Sequence, residues 1–258
     1  MIMRSATGWL ALLIGFVLTC LPARAEKLVL TVSDDTIEVT SSFSGAGIAL
    51  LGSIQRDSQT VSRQAGYDIV IAVRGPKENI VTRKRERVAG IWVNRSSVRY
   101  YGVPSLYIVS STRPLEDIAS PGVLARESLG LANAAGQTLS RASEADLAQF
   151  REATIRLKEK EGLYVQETGK VAMIGGTLFR TRIDLPANMR TGHYEATVYL
   201  FSGGALVAQD WVGFYAAKRG FEATVSDLAQ YDPLTYGIIA VVLAAMTGWV
   251  GAFLFRRD

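Results

Sequence analysis

Residues 178–201 read LFRTRIDLPANMRTGHYEATVYLF, and this stretch decides the architecture of the chain. Residues 177–185 form a strand that runs into a turn from Pro186 to Gly192. Proline fixes φ there and glycine frees it, so the chain reverses between them. Residues 193–201 then alternate, with Tyr194, Ala196, Val198 and Leu200 sharing one face of a second strand. Gly203-Gly204 follows as a hairpin turn of the primed type, and residues 205–217 return as a third strand.

Working outward, residues 27–32, 36–40 and 47–54 are short, β-branched-rich runs split by Ser, Asp and Gly. Residues 67–73, YDIVIAV, are almost continuously apolar and read as a central strand closed by a turn at Gly75-Pro76. Residues 106–111 and 221–225 are further strand candidates. Ser120-Pro121 fits an N-cap and N1 pair for a short helix ending near Gly130. A clearer helix begins at the capping-box-like pair Ser143 and Asp146. It carries Leu147, Phe150, Thr154 and Leu157 on one face and a Glu152–Arg156 pair on the other, and Gly162 sits at its C′ position.

Leu185-Pro186 followed by Gly192-x-Tyr194 resembles the corner of immunoglobulin-like sandwiches, where a tyrosine starts a strand after a turn. The expected class is therefore mainly β with a helical insert. Two small immunoglobulin-like β-sandwich-type domains, residues 26–112 and 163–228, would be joined by a helical segment at 113–162; a single α+β ectodomain is the alternative.

The two ends are of another kind. Arg4, an apolar run at 9–19 and Ala23-Arg24-Ala25 have the order of a secretory signal peptide, which would place the mature start near Glu26. Residues 234–255 carry no charge over about 22 positions, or roughly 33 Å of helix, enough to cross a hydrocarbon core. Residues 229–233 would link the body to this span. Arg256 and Arg257, in the tail 256–258, mark the cytoplasmic side. Tyr231, Tyr236 and Trp249 fall where aromatic anchors belong. The expectation is a single-pass protein of a bacterial inner membrane, with its body in the periplasm and its C-terminus inside.

Charge and cysteine content narrow the function classes. Arg4, Arg24, Arg256 and Arg257 supply four of the 28 basic residues and Asp258 one of the 24 acidic ones, which leaves 24 against 23. A near-neutral body lacks the broad basic field that nucleic acid requires. Cys20, the only cysteine, lies in the signal, so a disulfide, thiol nucleophile or cysteine metal site is not expected in the mature chain. His193 is the only histidine and no serine motif accompanies it. FSGAG at 43–47 lacks the spacing of a nucleophile elbow, and ETGK at 167–170 lacks the upstream glycine of a phosphate loop. Neither a catalytic residue nor a cofactor or metal site is expected.

Two stretches point to contacts instead. RKRER at 83–87 follows the Gly75-Pro76 turn and reads as the return strand of a hairpin, an edge strand guarded by charge. At a period of two, Arg83, Arg85 and Arg87 line one side about 7 Å apart, with Trp92 and Asn94 beyond an Ala89-Gly90 turn. Such a row suits an oxyanion, a lipid headgroup or an acidic patch on a partner. In the span, Ala240, Ala244, Gly248 and Ala252 recur every four residues, a spacing that lets a second helix approach closely.

VRGP (73–76), RKRERVAGIWVNR (83–95), VPSLY (103–107), SSTRPLED (110–117), FREATIRLKEKEGLY (150–164), the stretch at 178–201 and the terminal FRRD together resemble an alphaproteobacterial transmembrane protein family without established activity. The resemblance implies an inner-membrane protein with a periplasmic body. It also suggests an accessory role beside an anion exporter of the sulfite type. A non-enzymatic partner of an integral membrane protein, or a self-associating one, is the leading expectation. A periplasmic hydrolase or ligand-processing enzyme is the alternative.

Overall fold

The computed structural model describes residues 26–56, 66–134, 136–140, 142–218 and 221–254. The signal-peptide segment, Cys20 and the Arg256-Arg257 pair lie outside the described residues.

Thirteen strands are described. The first four are β1 (Glu26–Val32), β2 (Thr36–Val39), β3 (Ala46–Arg56) and β4 (Asp68–Arg74). A long pair follows, β5 (Lys77–Val88) and β6 (Ile91–Pro104), and then β7 (Tyr107–Ser111). Helices α1 (Leu115–Ile118) and α2 (Pro121–Arg126) and a 3-10 turn at Leu131–Asn133 precede β8 (Gln137–Thr138) and α3 (Glu144–Lys160). The chain returns through β9 (Tyr164–Thr168), β10 (Ala172–Ile174), β11 (Leu178–Leu185), β12 (Gly192–Ser202) and β13 (Ala205–Lys218). It ends in α4 (Phe221–Tyr231) and α5 (Pro233–Leu254).

One sheet has the order β1-β3-β11-β10 and the other β2-β13-β12-β4-β7-β9. All pairs in the first are antiparallel, and β2 joins β13 in parallel. This is the A-B-E-D sheet of an immunoglobulin-like sandwich against its C-F-G sheet, with β2 beside the last strand and β7 and β9 extending the second sheet. Alternation does the packing. On β11, Phe179, Thr181, Ile183 and Leu185 are buried and the residues between them exposed. They meet Tyr194, Ala196, Val198 and Leu200 of β12 in one core.

The mainly-β class with a helical insert and one apolar C-terminal helix is observed. Its division is different. β3 pairs with β11, and β4 with β12. Segments 26–112 and 163–228 therefore supply strands to the same two sheets and make one sandwich instead of two. The physical reason is that strands from either segment alone bury one face only against strands of the other.

Residues 69–73 of β4 are buried on both sides, as the apolar run predicts. The helical insert explains the second cover. Arg74 donates to the carbonyls of Glu127 and Ser128 and to the Tyr199 hydroxyl, and Tyr107 donates to Ser128 O at 2.8 Å. The corner at 186–194 forms as read: Tyr194 Oη donates to Arg190 O at 2.5 Å, and its ring stacks on Phe214. Gly203 and Gly204 both have positive φ, completing the primed turn.

α3 also starts and stops as expected. Ser143 Oγ accepts from Asp146 N, while Leu163 N bonds Lys158 O and Gly162 N bonds Glu159 O in a Schellman ending. Its buried side chains are Phe150, Thr154 and Ile155; Leu157, expected on that face, is half-exposed. Among the described residues the ion pairs do not include Glu152 with Arg156. Residues 221–225, expected as a strand, open α4. No turn signal interrupts the chain until Asp232-Pro233, so α4 takes in residues 229–231 of the expected link, and Asp232 breaks the helix and caps α5 through Thr235.

Candidate functional site

The expected hairpin between 67–73 and 77–88 does not form. At Gly75-Pro76 the chain leaves the sandwich, and it passes so close to the returning segment that a side chain at Gly75 would strike Ser105 Oγ at 2.7 Å and the Tyr194 ring at 2.9 Å. Gly75 N bonds Leu106 O and Ser105 N bonds Pro76 O, so departure and return are clamped together. Between these points β5 and β6 pair with each other in a separate sheet of order β5-β6-β8. β5 lies at its edge, as the charge pattern predicts.

The base of this arm is held by α3. Glu78 pairs with Lys158, and with Arg190 at 2.9 Å, while both Glu78 and Lys158 are nearly buried. Thr82 and Thr154 bring their hydroxyls to 2.6 Å, and Thr154 also donates to Phe150 O. Tyr100 donates to Leu147 O, and Lys84 to Gln149. Tyr164, between these groups and Tyr107, is pushed well above the usual phenol range by burial first and by the Glu78 charge second.

Beyond Thr82 and Val98 the cover ends. From Arg83 to Ser97 the two strands form a ribbon whose residues are all exposed except Glu86 and Val93, which are partly covered. Opposed residues of an antiparallel pair point to the same face. Arg83 is opposite Ser97, Arg85 opposite Asn94 and Arg87 opposite Trp92. Arg83, Arg85, Arg87, Trp92 and Asn94 therefore stand together on one face. A bulge at Arg95 turns that side chain to the other face, where it and Lys84 share Glu86 at 3.5 and 3.8 Å. The ribbon's one carboxylate is thus occupied, and among the described residues no acid pairs with the three arginines. They lie in a row whose inner members, Arg83 and Arg85, border α3, while Arg87 Nε donates to Gly90 O of the turn at 3.3 Å.

Along the exposed margin of β5, a groove of about 450 Å³ runs against α3, lined in part by Arg83, Arg85, Glu152, Arg156 and Leu157. Helix periodicity puts Leu157 on the face shared with Phe150 and Thr154, and Arg156 on the other. Their place here depends on how α3 lies across β5, which no local sequence signal carries.

The tip is apolar. Val88 opposes Ile91 on one face, Trp92 stands on the other, and Trp92 and Ile91 are 68 % and 65 % exposed. Ala89 (φ 49°) and Gly90 (φ 85°) make a primed two-residue turn. Alanine is a costly choice at a position where asparagine is the usual one.

α5 places Ala240, Ala244, Gly248 and Ala252 on exposed positions at four-residue intervals. Residues Pro233–Ala252 are long and apolar enough to cross a membrane, and none of that stretch is buried by the rest of the described chain. His193 packs edge-on against Tyr215 at 4.9 Å on the sandwich surface. Among the described residues no three His, Cys, Asp or Glu side chains converge as metal ligands would.

A family model described as "Putative transmembrane protein (Alph_Pro_TM)" matches residues 27–257. The chain belongs to this family. Among curated proteins none matches it. Two solved structures share low-level similarity with this Alph_Pro_TM chain. Spo0M, a sporulation control protein from Bacillus subtilis, is 9 % identical with a TM-score of 0.28, over 80 % of this chain and 55 % of that one. AggA, the major subunit of aggregative adherence fimbriae type I from Escherichia coli, is 12 % identical with a TM-score of 0.26, over 75 % and 95 %. Neither carries an inference about function at that level.

Proposed function

We propose that this protein is a non-enzymatic, single-pass membrane component. Its sandwich stands in the periplasm, its C-terminus is cytoplasmic, and it assists an integral membrane partner. The observation that carries the reading is α5, an apolar helix of membrane-spanning length left uncovered by the described chain. Such a helix is satisfied by lipid and by other helices, and its small-residue spacing fits close helix approach. The partner class suggested by the family resemblance is an anion exporter of the sulfite type.

Topology is tested first. Intact mass should place the mature start near Glu26, and a C-terminal reporter should be active only in the cytoplasm. A retained leader or a periplasmic C-terminus overturns the reading. Partnership is tested by replacing Ala244 and Gly248 together with Leu, which keeps hydrophobicity and fills the groove between helices. Co-purification of partners in mild detergent should be lost while membrane insertion is unchanged. Equal recovery of the same partners removes the span from the contact.

A further inference from the structure

We propose that the β5–β6 ribbon is a lipid-docking arm, whose tip enters the interface of an anionic bilayer. The inference rests on the membrane anchoring proposed above and adds a second, separate membrane contact.

Three observations converge on this ribbon. First, it has the wrong composition for a free surface. A two-stranded ribbon is marginal alone, yet this one extends about 20 Å past its last cover, and its end bears Val88, Ile91 and Trp92 in water. Second, its charge is one-sided. Arg83, Arg85 and Arg87 stand in a row on the Trp92 face with no carboxylate of their own, because Glu86 is taken by Lys84 and Arg95 on the other face. Guanidinium groups about 7 Å apart on an open strand cannot converge on one small ion, but each can engage the phosphate of a separate headgroup. Third, the turn keeps its apolar character at a cost. The conformation of Ala89 favours Asn or Gly, and Ala89 supplies a methyl group at the point farthest from the body.

Val88, Ala89 and Ile91 at the tip, Trp92 level with Arg87 behind them, and Arg85 and Arg83 farther back follow the order of a membrane interface, from acyl boundary through headgroup level to phosphates. A protein partner would need a surface broad enough for stable burial, and a narrow ribbon end offers little. A bilayer, by contrast, is held at high local concentration by α5 of the same chain.

The test uses the full chain with Cys20→Ser and Ile91→Cys, the new thiol carrying an environment-sensitive fluorophore. A second label at Lys170→Cys, an exposed body site, serves as reference. The protein is reconstituted into phosphatidylcholine vesicles with or without phosphatidylglycerol, each doped with nitroxide lipid. Docking gives a blue shift and quenching at position 91 in phosphatidylglycerol vesicles, none at 170, and loss of both signals at high salt. Arg83→Gln, Arg85→Gln and Arg87→Gln together abolish the signal, and the matching lysine variants keep part of it. A label at 91 that stays in water in both vesicle types, while the chain resists alkaline extraction, overturns lipid docking and leaves the tip to a protein partner. Release of the chain by alkaline extraction overturns the anchoring reading itself.

Discussion

The sandwich and the ribbon are built from the same period-two strands, and they differ in what covers them. On β11 and β12 the alternate residues Phe179, Ile183, Tyr194 and Val198 face strands from the opposite sheet, so alternation becomes burial. On β5 and β6 the same alternation gathers Arg85, Arg87, Asn94 and Trp92 on an exposed face that no strand of the sandwich covers. Regular strand geometry is therefore neutral about function. The distinction lies in whether the facing surface is encoded in the same polypeptide. In the sandwich it is. In the ribbon the base is covered by α3 and the end is left for something outside the chain.

The sharpest way to break this contrast is to cut the ribbon's base from the body. Glu78 is the one acid between Lys158 and Arg190, and it joins β5, α3 and the corner before β12. Glu78→Gln strands a nearly buried ammonium group. The expected cost is about 3 kcal/mol, measured by denaturant unfolding of the full chain in detergent. A loss below about 1 kcal/mol would mean that the arm and sandwich are not coupled through this site.

The sandwich corner comes next. Tyr194→Phe removes the bond to Arg190 O and should cost about 1 kcal/mol. Burial pushes both Tyr107 and Tyr194 up to about 12 from the ordinary 10.0. The folded state holds these protons more tightly than the unfolded one. The stability they contribute is therefore full below pH 10 and is lost as pH rises from 10 to about 12. Alkaline titration of unfolding should show this fall, and Tyr194→Phe should shrink it. An unchanged slope would assign the alkaline loss elsewhere.

Much of this was legible in sequence because it is local. The Pro186–Gly192 turn, Tyr194, the paired glycines at 203–204 and both ends of α3 are each decided within a few residues. Arg83, Arg85 and Arg87 were legible for the same reason, since strand period alone puts them on one side, whereas Trp92 and Asn94 reach that face through the register of β6. Non-local choices were not legible. Nothing within 26–112 says that β3 will lie beside β11, so one sandwich read as two. Ile155 and Leu157 are both apolar, and only the tilt of α3 across β5 selects Ile155 for the core. Residues 221–225 have strand-like composition, but such propensity is weak beside an uninterrupted run to Asp232-Pro233. The covered outer face of β4 was legible as an apolar run, although what covers it was not.

A smaller effect sharpens the contrast within the ribbon itself. Ala89→Asn suits the primed turn and should relieve about 1 kcal/mol of backbone strain. The ribbon opens separately from the core if the two regions are as different as their burial suggests. Hydrogen exchange should then slow at amides 83–97 and stay unchanged in β4 and β12. Equal slowing in both would show that the ribbon and sandwich unfold as one unit.

The smallest stability effect is expected at the arginines, and there the sign of the charge is the informative variable. Arg83, Arg85 and Arg87 are exposed and make no ion pair among the described residues, so replacing each with Gln should change stability by no more than about 0.5 kcal/mol. They nonetheless serve the edge of a sheet, where any charge, positive or negative, discourages pairing with another chain. Lipid docking accepts positive charge only. The triple change to Glu separates the two roles. If edge protection is the whole purpose, the Glu variant should remain as monodisperse as the parent by size-exclusion chromatography and lose nothing else. If the arm also docks on anionic lipid, that variant should stay monodisperse while position 91 returns to water in phosphatidylglycerol vesicles. A Gln variant that stays just as monodisperse would show that β5 needs no charge to protect its edge, and would leave the membrane as the reason for the row.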